Sequence, residues 1–291
     1  MTAVDDSRFA DVGRLVVRCP DRPGIVHVLS GVMTELGANI TDSQQHSSDP
    51  SGGTFTLRLE FLLAGLAKRR GELEQRLEAL AADWGMVWRL TEAAHKPTLA
   101  VFVSRTDHVL QDLIYRVRAG DLRAELACVV SNHRDLEPVA AAAGIPFHHV
   151  PVSPETKVEA EARALEVIGD VDLVVLARYM QIVSPDFCSR FPERLINIHH
   201  SFLPAFVGAN PYRAAHDRGV KLIGATAHYV TAELDAGPII EQEVARIDHR
   251  ATVEDMRRVG RYVERQVLAQ AVTWHAEDRV IVDGEKTIVF A

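Results

Sequence analysis

From Leu99 onward, short apolar runs alternate with longer stretches of helical periodicity, and nothing else in the chain constrains its fold as tightly. Strands separated by helices pair in parallel, because a parallel crossover needs a dozen or more residues and an antiparallel hairpin needs only a few. Strand candidates are 99–103, 125–131, 147–150, 173–177, 195–199 and 223–230. Helix candidates between them are 110–119, 136–143, 157–168, 212–217 and 253–274. The expected class is α/β, with a mostly parallel, Rossmann-like sheet. Ligands of such open sheets bind beyond the carboxyl ends of the strands.

The first third of the chain has a different order. Residues 14–90 read β-α-β-β-α-β, the order of a ferredoxin-like α+β domain. Pro23-Gly24 opens a helix whose apolar positions Ile25, Val28, Leu29, Val32 and Leu36 follow helical spacing. Gly37 closes it as a left-handed C′ residue. Thr54 to Phe61 alternates as a strand after the turn signal Asp49-Pro50-Ser51-Gly52-Gly53. The polar stretch Glu92 to Pro97 reads as the connection. The expected organisation is therefore a first domain at 8–92, a linker at 93–97 and a second domain at 98–291.

Composition removes several function classes. The chain has 291 residues, 47% of them hydrophobic and 25% charged, which is ordinary for a water-soluble two-domain protein. Its net charge is −8 and its longest basic run is Lys68-Arg69-Arg70, so nucleic acid is not the expected partner. The start, Met-Thr-Ala-Val-Asp-Asp, has no basic segment followed by an apolar one. No apolar run is long enough to span a bilayer. A cytoplasmic location, with no membrane partner, is expected. Cys19, Cys128 and Cys188 are too widely spaced for a disulfide framework or a zinc pattern. His148-His149 and His199-His200 are adjacent pairs that point apart on a strand, so no metal is expected.

The chemistry-bearing segment is Ile196-Asn197-Ile198-His199-His200-Ser201-Phe202-Leu203-Pro204, read together with Leu234-Asp235-Ala236-Gly237-Pro238. Residues two apart on a strand face the same side, so Asn197 and His199 project together. An amide donor beside an imidazole can polarise a carbonyl and move a proton, and Asp235 adds a carboxylate on a turn. No Gly-x-Ser-x-Gly elbow accompanies Ser201, so a serine nucleophile is not indicated. These residues alone leave two readings: a polar strand end, or acyl chemistry with an external nucleophile.

The same residues resemble a known family. Asn197, His199 and Asp235 match the Asn-His-Asp set of the formyltransferase fold that uses 10-formyltetrahydrofolate. The resemblance is closest to the hydrolase branch, the formyltetrahydrofolate deformylases, and covers nearly the whole chain. Further carriers are Cys19 to Ile25, Ser131-Asn132-His133, Leu176 to Ile182 and Gly224 to Thr231. The first domain, through Pro20 to Ile25 and Gly37 to Ile40, resembles an ACT domain.

The resemblance implies hydrolysis of 10-formyltetrahydrofolate to tetrahydrofolate and formate, with the formate feeding purine synthesis and the reaction balancing the one-carbon pool. It implies Asn197, His199 and Asp235 as catalytic residues. A folate cleft is implied at Met180, Gln181, Ile182, Val183, Thr226, His228 and Ala232. Folate and water are then the substrates, with no cofactor. In the ACT-like domain it implies a homo-oligomer with an amino-acid effector near Asp21, Gly24, Ile25, Asn39 and Ile40. One departure matters. After the first strand of the second domain comes Ser104-Arg105-Thr106-Asp107-His108, without glycine, where related glycinamide ribonucleotide transformylases carry a glycine-rich phosphate loop. Two alternatives stay open: a formyl transferase with an amine acceptor, and a non-catalytic amino-acid and folate sensor.

Overall fold

A computed structural model describes residues 6–204 and 211–291. The N-terminal residues on which the leader reading rests lie outside the described residues up to Asp6. The chain forms two units. One comprises the residues up to Lys96 together with Glu277–Ile281 and Phe290–Ala291; the other comprises Pro97–Ala276 and Val282–Val289.

In the first unit, β1 (Val12–Pro20), α1 (Ile25–Glu35), β2 (Asn39–Ser47), β3 (Thr54–Leu62), α2 (Leu66–Trp84) and β4 (Val87–Glu92) follow the expected order. The strands form an antiparallel sheet in the order β2-β3-β1-β4. Leu57, Leu59 and Phe61 alternate on one face of β3 and join Leu15, Val17, Ile25, Leu29, Leu73 and Leu77 in a single core. The other face is covered as well. Arg58 is only 1% exposed. Its guanidinium donates to Asp42, to Glu60 and to the backbone carbonyl of Glu277. A buried cation is tolerable only when its donors are met in this way.

The second unit holds β5 (Thr98–Val103), β6 (Glu125–Ser131), β7 (Phe147–His149), β8 (Leu173–Leu176), β9 (Leu195–His199), β10 (Leu222–Tyr229) and β11 (Ile239–Arg246). Their order is β11-β10-β9-β8-β5-β6-β7. Strands β5 to β9 pair in parallel. Strands β10 and β11 run antiparallel at one edge. The helices are α3 (His108–Ala119), α4 (Glu137–Ala143), α5 (Lys157–Ile168), α6 (Pro185–Arg190), α7 (Pro211–Arg218) and α8 (Val253–Ala276). Alternate residues Ala100, Phe102, Val130, Val174 and Leu176 pack with Ala160, Ala164 and Ile168 of α5 and Phe187 of α6. Helix α8 lies against β9, β10 and β11. A hairpin of β12 (Val280–Asp283) and β13 (Lys286–Val289) ends the chain.

The chain lays down β5, β6 and β7 in one direction, then returns to the far side of β5 for β8 and β9. The topological switch point is therefore between β5 and β8, and the segments leaving those two strands border it. Among the described residues no helix is long and apolar enough to cross a membrane.

Candidate active site

The candidate site is built on two neighbouring strands. Antiparallel pairing of β9 with β10 sets His228 opposite Asn197 and Thr226 opposite His199. The Asn197 Nδ2 lies 3.3 Å from His228 Nε2. On the other side of that ring, His228 Nδ1 lies 2.8 Å from the carbonyl of Tyr229 and must carry the proton it donates there. With the proton on Nδ1, Nε2 is left to accept from the Asn197 amide. One of the two Asn197 N–H groups is used, and the other is free for a ligand.

Asp235 arrives from the loop after β10. Its backbone is left-handed, φ +54°, which turns the carboxylate back over the strand ends. Its Oδ2 is 3.3 Å from His199 Nδ1 and its Oδ1 is 3.7 Å from His228 Nε2. The hydrogen bond from His199 comes first in holding its carboxyl well below the usual carboxylate range. The loop is pinned by Tyr229 N–H donating to the carbonyl of Pro238. It closes against β10 so tightly that a Cβ on Gly237 would sit 1.9 Å from the Tyr229 carbonyl oxygen. His199 spends Nδ1 on Asp235, while its Nε2 is buried without a hydrogen bond.

A cavity of about 270 Å³ opens in front of these groups. Its second wall is the loop leaving β8, with Met180, Gln181, Ile182 and Val183, and its rim is Thr231 to Asp235. Met180 is 53% exposed and Ile182 60%, and both line this cavity, so they offer it an apolar wall. This loop is fixed at Met180, whose N–H donates to Ser104 Oγ, and that hydroxyl donates to Asn132 Oδ1. The Ser131-Asn132-His133 motif thus serves to hold the cleft wall.

Most residues marked in the sequence meet here. Asn197, His199, Asp235, Met180, Gln181, Ile182, Val183, His228 and Ala232 all line the one cavity. Thr226 does not. Its fully buried hydroxyl donates to the carbonyl of Ser201 and accepts from Leu203 N–H and Gln242 Nε2, which saturates it. It shapes the turn after β9 and has no capacity left for a ligand.

In the first unit the marked residues divide. Ile25 is buried and Ile40 packs against the core. Gly24, φ +98°, ends the turn into α1, and Asn39 is exposed at the start of β2. The Asp21 carboxylate accepts from the Ser47 hydroxyl.

A second polar group was not legible in the sequence. Glu264 of α8, 2% exposed, accepts from Tyr212 Oη at 2.8 Å and lies 2.8 Å from His108 Nε2 and 3.5 Å from Arg178 Nε. Nearby His200 is pushed down to about 3, first by burial and then by the Arg178 charge. The one available signal was an acidic residue within the apolar stripe Met256, Gly260, Val263, Val267.

Comparison with known proteins agrees with this geometry. The formyl transferase family profile matches residues 98–272 and the ACT domain profile residues 13–82. A formyltetrahydrofolate deformylase of Bacillus subtilis is 51% identical over 96% of this chain and 94% of its own length. The crystal structure of a formyltetrahydrofolate deformylase from Pseudomonas syringae superposes with a TM-score of 0.91 at 46% identity, over 96% of this chain and 94% of that one. Glycinamide ribonucleotide transformylase 1 from Symbiobacterium toebii matches 68% of this chain and 95% of its own, at 34% identity and a TM-score of 0.62. With an ACT domain ahead of a formyl transferase domain, and with near full-length identity of this order, the chain belongs to the formyltetrahydrofolate deformylase family.

Proposed function

We propose that this chain hydrolyses 10-formyltetrahydrofolate to tetrahydrofolate and formate, and that Asn197, His199 and Asp235 carry the reaction. The observation that supports this most is their convergence on one cavity whose other wall carries the apolar side chains of Met180, Ile182 and Val183. The pterin lies against Met180, Ile182 and Val183. The formyl group then reaches the strand ends.

Water adds to the formyl carbon, and the carbonyl oxygen becomes an oxyanion. The free N–H of Asn197 donates to it, and the unpartnered His199 Nε2, when protonated, donates as well. Asp235 is ionised throughout the neutral range, so it holds the His199 ring by Nδ1 and takes or orients the proton of the attacking water. Collapse of the tetrahedral intermediate breaks the C–N10 bond. One water proton ends on N10, and formate leaves with loss of the other proton to solvent. All donors and the base are side chains, so the folate enters as substrate and no resident cofactor is needed.

The deciding experiment incubates purified protein with 10-formyltetrahydrofolate, with and without glycinamide ribonucleotide, and measures formate and tetrahydrofolate. Equal amounts of both, indifferent to the added amine, are expected. Tetrahydrofolate formed only in the presence of the amine would establish a transferase, and tight folate binding without turnover would establish a sensor.

We infer further that the first unit assembles copies of the chain and takes an amino-acid effector. The ACT profile supports it, as does the position of β2 and β4 at the two edges of the sheet, where a further strand can pair. Size-exclusion of the full chain, beside rate assays with glycine and methionine, tests both halves. A monomer indifferent to either amino acid would refute them. The reaction is expected in the cytoplasm, where its folate substrate is dissolved.

A further inference from the structure

We propose that Tyr229 is a positioning residue for the reaction, and that the bond between its hydroxyl and His275 of α8 anchors both the Asn197 donor and the Asp235 carboxylate. This rests on the hydrolytic reading above and adds to it two side chains outside the cavity.

The backbone of Tyr229 serves both arms of the site. Its carbonyl accepts from His228 Nδ1 at 2.8 Å, which leaves Nε2 of that ring to accept from Asn197. Its N–H donates to the Pro238 carbonyl at 2.9 Å and so ties back the loop that carries Asp235. Gly237 of the same loop packs against the Tyr229 carbonyl oxygen, where a Cβ would sit 1.9 Å away. A shift of Tyr229 therefore moves the amide donor and the carboxylate together.

Strand pairing holds Tyr229 incompletely. It is the last residue of β10 and pairs with Ile196 of β9. Toward β11 the register slips between Ala227 and His228, and the pairing ends at His228. Strand ends of this kind are where a sheet opens first.

The side chain supplies the missing restraint. Alternation along β10 puts Tyr229 on the face opposite His228, with the fully buried Ala225 and Ala227. Tyr229 is 4% exposed, and its Oη lies 2.7 Å from His275 Nδ1. The two rings meet edge to face with centroids 5.7 Å apart. His275 stands in the last turn of α8, one turn on from Ala271 and Val272. Those two residues, with Val267 and Leu268, are fully buried, so helical spacing carries the buried stripe on to His275. The helix is thereby a fixed post for the phenol. A phenol and an imidazole nitrogen can each donate or accept, so one proton between them completes the bond.

The test compares wild type with Tyr229→Phe, His275→Leu, the double variant and His275→Asn. Phenylalanine keeps the ring packing and removes only the hydroxyl. Asparagine restores a polar atom near the place of Nδ1. Misplacement by about 1 Å costs on the order of 10² in rate, and here strand pairing limits the shift. In Tyr229→Phe and His275→Leu, kcat for formate release should fall at least about threefold while KM for the folate stays within about twofold. The double variant should lose no more than either single one, because both remove the same bond. His275→Asn should recover most of the turnover that His275→Leu loses. Hydrogen exchange of the Tyr229 amide, followed by NMR, should quicken about three- to tenfold in the two single variants, the scale of one neutral hydrogen bond, with core amides of β5 unchanged. Wild-type kcat in both single variants overturns the proposal. So do losses that add in the double variant, a rise in KM in place of the fall in kcat, or an unchanged Tyr229 amide. The exchange measurement needs no turnover. A wild type that releases no formate therefore refutes the hydrolytic reading, while the amide still decides whether His275 anchors Tyr229.

Discussion

Asn197 and His228 face each other across the β9–β10 pair, and the amide nitrogen of one lies 3.3 Å from Nε2 of the other. The imidazole fixes which way the amide points, because its Nδ1 proton is committed to the Tyr229 carbonyl. The remaining Asn197 N–H is thereby aimed before substrate arrives, and a donor fixed in advance stabilises an oxyanion without reorganising. Asn197→Ala should lower turnover by roughly 10²–10³ while KM for the folate changes little. Steady-state formate release checks it, and activity within a few-fold of wild type would rule out the oxyanion role.

Asp235 can be tested without disturbing its backbone. At φ +54° most side chains are strained, but asparagine adopts this region readily. Asp235→Asn should therefore fold normally and lose much more turnover than folate affinity. Steady-state formate release beside folate binding separates the two effects, since the amide keeps the shape and removes only the charge that faces His199. Turnover within a few-fold of wild type would rule out a role for the Asp235 charge.

Gly237 gives a test that leaves every chemical group in place. A methyl at this position would meet the Tyr229 backbone oxygen at 1.9 Å, and the backbone of a sheet strand has little room to retreat. The loop carrying Asp235 must shift instead. Because misplacement by about 1 Å can cost on the order of 10² in rate, Gly237→Ala should lose at least about tenfold in kcat with unchanged circular dichroism. Wild-type turnover in this variant would mean that the Asp235 loop is not held in register by the Pro238–Tyr229 contact.

How legible the site was depended on where each residue's partners lie. Asn197 and His199 share a strand, so period-2 alternation was enough to place them together. The apolar loop after β8 could be read because Met180 and Ile182 follow a strand end. Thr226 misled, because a polar residue beside a site motif looks like a ligand contact. Its partners Ser201, Leu203 and Gln242 are joined to it only by folding. Strand β11 escaped notice because Glu241-Gln242-Glu243 interrupts its apolar alternation at the sheet edge, where polar residues are tolerated. Helix α6 is only 6 residues long, too short for periodicity to register. Glu264 lies 156 residues from His108, and no local pattern ties them.

His200 sets a pH dependence of stability that the depressed carboxylates do not share. Its ring is buried against His199 and Tyr212 and is kept neutral, with its pKa pushed down to about 3 by burial and by Arg178, against some relief from Glu264 and Asp235. In the unfolded chain a histidine titrates near pH ~6.5. Above that value both states are neutral and the folded state has its full stability. As pH falls below it, the unfolded chain binds a proton that the folded protein refuses, and stability declines down to about pH 3. Asp235 and Glu264, both depressed, begin to withdraw stability only below the ordinary carboxylate range near pH ~4. The interval from about pH 6 to about pH 4.5 therefore isolates the histidine. Replacing it by glutamine removes the titration, so the melting temperature of His200→Gln should fall less steeply with pH across that interval than that of wild type. Scanning calorimetry at half-unit steps measures the two slopes, and parallel slopes would show that His200 is not held neutral in the folded protein.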